Sequence, residues 1–288
     1  MLNNYTKYSS MKHVVSGINL AEPQVMAIVN VTPDSFYATS SNFSSDAVCR
    51  RIDEAMAEGA TILDLGGYSS RPGADDVSLD EEWRRVSMGL RAVAQSERGV
   101  VVSIDTFRAE IIRRAVEEYG AVMVNDISAG ELDERMLPTV AHYGLPYVAM
   151  HMRGVPATMQ SLTDYAEGVV AAVRGYFVQR IGDMLSAGIS AQNIILDPGF
   201  GFSKSVEQNM ELLAGLHSIV ELGYRVLAGV SRKSMIYKPL GITPDEALAG
   251  SLAFGWEALC KGASILRVHD VKPTRQIVDL YEIYRMHR

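Results

Sequence analysis

Glu58-Gly59-Ala60-Thr61-Ile62-Leu63-Asp64-Leu65-Gly66-Gly67 is the stretch whose reading decides the fold. Before it, Val48, Ile52, Ala55 and Met56 share one helical face, so a helix runs up to Glu58. Gly59 supplies the left-handed turn that ends such a helix. Residues 61–65 are of strand length and almost continuously apolar, which suits a parallel strand covered on both faces. A carboxylate, Asp64, and a glycine pair stand at the far end. The unit is therefore helix, glycine, buried strand, polar terminus.

The same unit recurs along the chain. Apolar runs lie at 25–31, 61–65, 100–104, 121–124, 146–150, 193–196, 225–228 and 264–268. Gly120, Gly223 and Gly262 mark further handovers from helix to strand, and Ile111, Ile112, Ala115 and Val116 form a second apolar helix face. Ser78 with Glu81, Ser205 with Gln208, and Thr243-Pro244-Asp245-Glu246 are helix-start signals. Eight strand–helix units are the arithmetic of a (β/α)8 TIM barrel, an α/β fold; a doubly wound open sheet is the main rival. With no linker and no low-complexity segment, one domain is expected: residues 1–24 as an N-terminal lead-in over the barrel's bottom, and 25–288 as the barrel.

The chain has 288 residues, of which 48% are hydrophobic and 21% charged, enough for one large core without staples. A net charge of −7 argues against a nucleic-acid coat but leaves room for a local cationic site. Cys49 and Cys260 are too few for a disulfide framework or a zinc site, which fits a reducing cytoplasm. The N-terminus lacks the shape of a signal peptide, and no stretch approaches the roughly 18 apolar residues of a membrane span.

In a barrel, function gathers at the C-terminal ends of the strands. Those ends carry Asn30 with Asp34, Asp64 with Arg71, Asp105, Asn125-Asp126, His151, Asp197, Ser231-Arg232-Lys233, and Arg267 with His269. A lone Asp after a strand is most often a cap or turn residue, and a lone His a satisfied structural group. One polar group per strand, eight times over, reads instead as a ligand rim. Arg71, Lys233, Arg267 and His269 suit phosphate oxygens, and point to a phosphorylated or diphosphorylated substrate. Asn30 and Asp34 are hard oxygen ligands that suit Mg2+ held partly by those phosphates. Asp105, Asn125 and Asp197 suit a heterocycle with N–H and amino groups, either a pterin or a guanine edge.

The ordered motifs resemble those of the dihydropteroate synthases. These are Asn30-Val31-Thr32-Pro33-Asp34-Ser35-Phe36, Asp64-Leu65-Gly66-Gly67-Tyr68-Ser69-Ser70-Arg71-Pro72-Gly73-Ala74, Ser103-Ile104-Asp105-Thr106 and Val124-Asn125-Asp126-Ile127. Met150-His151-Met152, Asp197-Pro198-Gly199-Phe200-Gly201-Phe202, Ser231-Arg232-Lys233-Ser234 and Arg267-Val268-His269-Asp270-Val271 complete the series. The resemblance implies a barrel that joins 6-hydroxymethyl-7,8-dihydropterin diphosphate to 4-aminobenzoate, releasing diphosphate, in folate biosynthesis. It implies that Asp64, Asp105, Asn125, Ile127, Met150, Asp197, Phe202, Gly229 and Lys233 hold the pterin. Asn30, Arg71, Arg267 and His269 would hold the diphosphate; Phe36, Ser70, Pro72, Lys233 and Ser234 the aminobenzoate. Asn30 and Asp34 would bind Mg2+, and Asp105, Lys233, Arg267 and His269 would be the catalytic groups. A cytoplasmic homodimer is implied as well, with Leu248, Leu252, Leu259 and Tyr281 on the last helices as candidate interface.

The sequence departs from that family pattern in places. Tyr68 stands where Glu is usual, Ser70 where Thr is usual, and Tyr37-Ala38-Thr39-Ser40 replaces Ser-Asp-Gly-Gly. Val230 replaces a frequent Met. Two other readings compete: a methyltetrahydrofolate corrinoid methyltransferase, which has no diphosphate to hold, and a non-catalytic pterin-binding homologue. Retention of Arg71, Arg267, His269 and the aminobenzoate positions argues against both.

Overall fold

The computed structural model describes residues 22–31, 45–68, 77–96, 99–120, 122–155 and 158–287. Eight parallel strands close into a barrel in the order β1 to β8. They are β1 (Gln24–Asn30), β2 (Ile62–Gly66), β3 (Val101–Asp105), β4 (Met123–Asp126), β5 (Tyr147–Met150), β6 (Ile194–Asp197), β7 (Arg225–Ala228) and β8 (Ile265–Val268). Closure is made by β8 pairing back onto β1, with Gln24 beside Ile265 and Val25 beside Leu266. The rival open sheet is thereby ruled out, and the eight expected strands fall within one or two residues of their observed bounds.

Around the barrel lie α1 (Ser45–Ala57), α2 (Leu79–Gln95), α3 (Ala109–Tyr119), α4 (Met136–Tyr143), α5 (Val169–Ser186), α6 (Val206–Ala214), α7 (His217–Val220), α8 (Ser234–Leu240), α9 (Leu248–Cys260) and α10 (Val271–Arg285). The expected faces are the buried ones: Val48, Ile52 and Ala55 on α1, and Ile111, Ile112 and Ala115 on α3. Gly59, Gly120, Gly223 and Gly262 all have positive φ, as the helix-to-strand handovers require. Ser205 and Gln208 cap α6 reciprocally, at 3.2 and 2.8 Å. Ser78 Oγ accepts from the Glu81 amide at 3.3 Å. The Thr243 signal differs from expectation. Glu246 accepts from Thr243, but the turn is a three-residue 3-10 segment, Pro244–Glu246, and α9 starts only after it.

Strand side chains alternate between the helices outside and the barrel axis inside. One apolar residue from every strand meets at the axis: Met26, Ile62, Val101, Met123, Val148, Ile195, Leu227 and Ile265 form a separate buried cluster. This belt plugs the barrel. Side chains two and four residues further on along each strand point to the same axis, above the plug. The outward-facing residues join a much larger core under the helices, including Val29, Leu65, Ile104, Val124 and Leu196. The expected lead-in over 1–24 lies almost wholly outside the described residues.

Candidate active site

Counting two residues up from the plug gives Ile28, Asp64, Ser103, Asn125, Met150, Asp197, Gly229 and Arg267. Counting four gives Asn30, Gly66, Asp105, Ile127, Met152, Gly199, Ser231 and His269. Two superimposed rings at the C-terminal mouth thus contain nearly every site residue expected on a strand or just after one. Phe202, Lys233 and Ser234 come from the loops above them. Asp34, Phe36, Ser70, Arg71 and Pro72 lie outside the described residues.

The lower ring is polar and buried. Arg267 donates through Nε to Asp64 Oδ2 at 2.6 Å and through one terminal nitrogen to Asp105 Oδ2 at 2.6 Å. Asn125 donates to the same Asp64 oxygen at 2.9 Å. The guanidinium is held well above its ordinary pKa: burial opposes this, but the Asp64 and Asp105 carboxylates outweigh it. Arg267, expected on the diphosphate, therefore ties together Asp64 and Asp105, the carboxylates expected on the pterin. Asp64 Oδ1 and Ser103 Oγ, neighbours in register on β2 and β3, are buried with no hydrogen-bond partner among the described residues. Buried polar atoms are nearly always satisfied, so this pair marks a floor shaped for a ligand with donors.

Burial sets the protonation of the site. It raises Asp105 to about 7, against the lowering effect of Arg267, and it raises Asp197 against Lys233. Burial also lowers Lys233 to about 8, partly offset by Asp197. Asp197 Oδ1 accepts from the Gly199 amide at 2.8 Å, which shapes the turn after β6. Lys233, at the N-cap of α8, donates to the Phe200 carbonyl and stands 4.8 Å from the Phe202 ring centre. Gly229 lies beside both residues: a Cβ there would make ordinary contact with Lys233 Nζ at 3.9 Å and Arg267 Cβ at 4.0 Å.

One side of the mouth is apolar. Ile127, Met150, Met152 and Met159 form their own buried cluster, with Phe107, Leu132 and Phe202 packed on it. Three of these were expected from the sequence. Phe107, Leu132, Met152 and Met159 were not, because they come from connections whose convergence only the fold creates.

The other side carries the rim. Asn30 Oδ1 and the Asp105 carboxylate flank Gly66, where a Cβ would lie 3.4 Å from the first and 3.8 Å from the second. His269 Nδ1 is 3.2 Å from Ser231 Oγ, which also accepts from the His269 amide. Ser234 opens α8 beside Lys233. Two groups expected on the rim are turned away from it. The Asp126 carboxylate accepts from Ser128 N and Oγ, Gly130 N and Tyr147 Oη, a structural cap. His151 packs against Tyr176 and Lys204 on the outer side. Both follow an axis-facing residue by one, and alternation points them outward.

A sequence model of the pterin-binding enzymes matches residues 26–269, from the first plug residue to the last rim residue. This chain belongs to the pterin-binding enzyme family. It is 42% identical to the dihydropteroate synthase of Haemophilus influenzae over 265 residues, covering 92% of this chain and 95% of that protein. The Escherichia coli dihydropteroate synthase is 41% identical over 267 residues, 93% of each chain. Among solved structures, Xanthomonas albilineans dihydropteroate synthase with 4-aminobenzoic acid superimposes with a TM-score of 0.86 at 40% identity, over 94% of this chain and 97% of that one. The same enzyme in complex with 7,8-dihydropteroate superimposes at 0.83, with 38% identity and the same coverage. Its family membership makes the two rings above the plug a pterin-site candidate rather than an unassigned polar mouth.

Proposed function

We infer that this protein is a dihydropteroate synthase, a transferase of folate synthesis. It condenses 6-hydroxymethyl-7,8-dihydropterin diphosphate with 4-aminobenzoate to give 7,8-dihydropteroate and diphosphate. The observation that carries the reading is the gathering of Asp64, Asp105, Asn125, Asp197 and Lys233 over the Ile127–Met150–Phe202 wall. The wall suits a flat ring and the polar groups suit its amino and N–H edge. Asp197 takes the amino-pyrimidinone edge, and the partnerless Asp64 Oδ1 offers a further acceptor.

Charge gives the mechanism. The bond between the pterin methylene and the diphosphate oxygen breaks, and the electron pair leaves with diphosphate. The methylene cation is stabilised by the electron-rich dihydropterin and by the Asp105 carboxylate beside it. Arg267 has five N–H donors, of which two face Asp64 and Asp105, so three remain for phosphate oxygens. Asn30, Arg71 and His269 join it around the departing group. The aromatic amine of 4-aminobenzoate, held by Phe36, Ser70, Pro72, Lys233 and Ser234, then forms the C–N bond and loses a proton. No covalent enzyme nucleophile is needed.

Mg2+ fits the donor set at the rim. Asn30 Oδ1 and the Asp105 carboxylate both flank the Gly66 position, so hard oxygen donors face this part of the mouth. Asn30 and Asp34 would hold a magnesium ion together with substrate oxygens, and it would supply neutralisation of charge on the diphosphate.

A cytoplasmic homodimer completes the reading. No helix among the described residues is long and apolar enough to cross a membrane. Leu280, Ile283, Tyr284 and Met286 are exposed at the end of α10 and supply an apolar face, whereas Leu259, expected there, is buried in the core. The decisive assay supplies pterin diphosphate, 4-aminobenzoate and Mg2+ and follows diphosphate release. Ligand binding without release would sink the synthase reading.

A further inference from the structure

Lys204 is 5% exposed, although a lysine two residues past Phe202 would be expected in water. Its ammonium donates to the carbonyl oxygens of Gly199 and Phe202, both at 2.9 Å, and lies 3.0 Å from Nδ1 of His151. These three acceptors belong to two loops. His151 directly follows Met150 of the apolar wall, and Gly199–Phe202 follow Asp197 after Pro198. The loops touch at the backbone. Gly199 has φ 69°, and a Cβ there would overlap the His151 carbonyl oxygen.

Further bonds buckle the same segment. Asn209 Oδ1 accepts from the Gly201 amide at 2.7 Å, and Ser203 exchanges hydrogen bonds with Arg153 at 2.9 and 3.0 Å. Lys233 grips the Phe200 carbonyl from the pocket side, while Lys204 grips Gly199 and Phe202 from behind. Burial lowers the Lys204 ammonium to about 7, against the raising effect of Asp197, so its charged form needs the three partners around it. His151 serves as one only with Nδ1 unprotonated. Burial and then Lys204 push its pKa down to about 2, so the ring is neutral at neutral pH, and its Nε2–H tautomer leaves Nδ1 free to accept.

We propose that Lys204 is a positioning residue for pterin recognition: its ammonium fastens the 199–202 loop to His151, so that Asp197 and Phe202 hold their places on the ring pocket. This rests on the pterin reading above. Methionine at this position keeps the apolar stem and removes every donor. Gly199 O, Phe202 O and His151 Nδ1 then lose their partner, and the Asp197–Gly199 turn loosens with them. The loop carries Phe202 and braces Asp197, both expected on the pterin, and it meets the shared Lys233 through the Phe200 carbonyl, so the defect falls first on pterin affinity.

The test uses the full chain with Lys204→Met and Lys204→Arg. Titration calorimetry with 6-hydroxymethyl-7,8-dihydropterin gives the pterin Kd, and steady-state assays at saturating pterin diphosphate give the aminobenzoate KM. Lys204→Met is expected to weaken the pterin by at least about tenfold and to move the aminobenzoate KM by less than about twofold, the loss of charge-assisted hydrogen bonds acting on one ligand. Lys204→Arg, which restores donors and charge, recovers most of the affinity. If the Met variant does not fold, Lys204→Gln replaces it under the same criteria. An unchanged pterin Kd in the folded variant, or an equal loss for both substrates, overturns the proposal. Failure of the unsubstituted chain to bind the pterin alcohol would instead overturn the pterin reading itself.

Discussion

The apolar plug and the ring two residues above it are built on the same eight strands, on the same face, yet do opposite things. Met26, Ile62, Val101, Met123, Val148, Ile195, Leu227 and Ile265 fill the axis with no polar atom to satisfy. One step up stand the buried Asp64, Ser103, Asn125 and Asp197 with the partly exposed Arg267, all electrostatically costly. Burial favours the first ring by about 25 cal/mol per Å2 of apolar surface and penalises the second. A fold optimised for stability alone would carry the plug upward. On five of the eight strands the apolar plug gives way at the next level to Asp64, Ser103, Asn125, Asp197 and Arg267, and there stability yields to ligand recognition.

Four experiments break or sharpen this contrast. The largest effect is expected from Arg267→Leu, which leaves Asp64 and Asp105 buried without their cation. It should cost about 3–5 kcal/mol in denaturant unfolding and abolish turnover, because removing one partner strands the other charges. The loss should be smaller at pH 5.5 than at pH 8. Without Arg267, which lowers it, Asp105 titrates still higher than its native value of about 7, so it is neutral, and tolerated, on the acid side. An equal loss at both pH values would contradict the account of the lower ring.

Lys233→Ala should lower kcat/KM by about 10²–10³-fold, while a rim position shifts Tm by no more than about 3 °C. Parallel loss of folding and activity would argue against its role in both pockets. Ile195→Ala should behave in the opposite way. A plug truncation costs about 2–4 kcal/mol, and KM values of the folded fraction stay near those of the parent. A large KM effect would mean that the plug and the polar ring are not separable. The smallest effect is a pH limb. Burial lowers Lys233 to about 8, so its charge is lost as pH rises through that value. The kcat/KM profile should fall with an alkaline midpoint near 8, and this limb should be absent from the residual activity of Lys233→Ala.

Much of this site was legible because a strand has a period of two and a barrel exposes one end. Once the eight runs are found, Asp64, Asn125, Asp197 and Arg267 fall on one ring by counting alone. The same parity separates Asn125 from Asp126 and Met150 from His151. Reading only which residue ends a strand put Asp126 and His151 on the rim, whereas alternation sends both outward. The Thr243 signal was real but local: it specifies a capped turn, and the helix follows one residue after that turn ends.

The sequence by itself determined the strand count, the polar terminus on each strand, and the family to which the ordered motifs belong, while closure into a barrel came from the pairing of β8 with β1. The first three follow from short-range periodicity and from residues close together in the chain. Tertiary structure alone decided which polar atoms share a proton or a partner. It set Arg267 between Asp64 and Asp105, separated by 203 and 162 positions, and brought Phe107, Leu132, Met152 and Met159 to one apolar wall. It also buried Lys204, whose chain neighbours give no hint of three acceptors. Burial and contact between distant residues depend on how strands converge in space, and desolvation, which sets the charge states here, has no counterpart in a linear pattern.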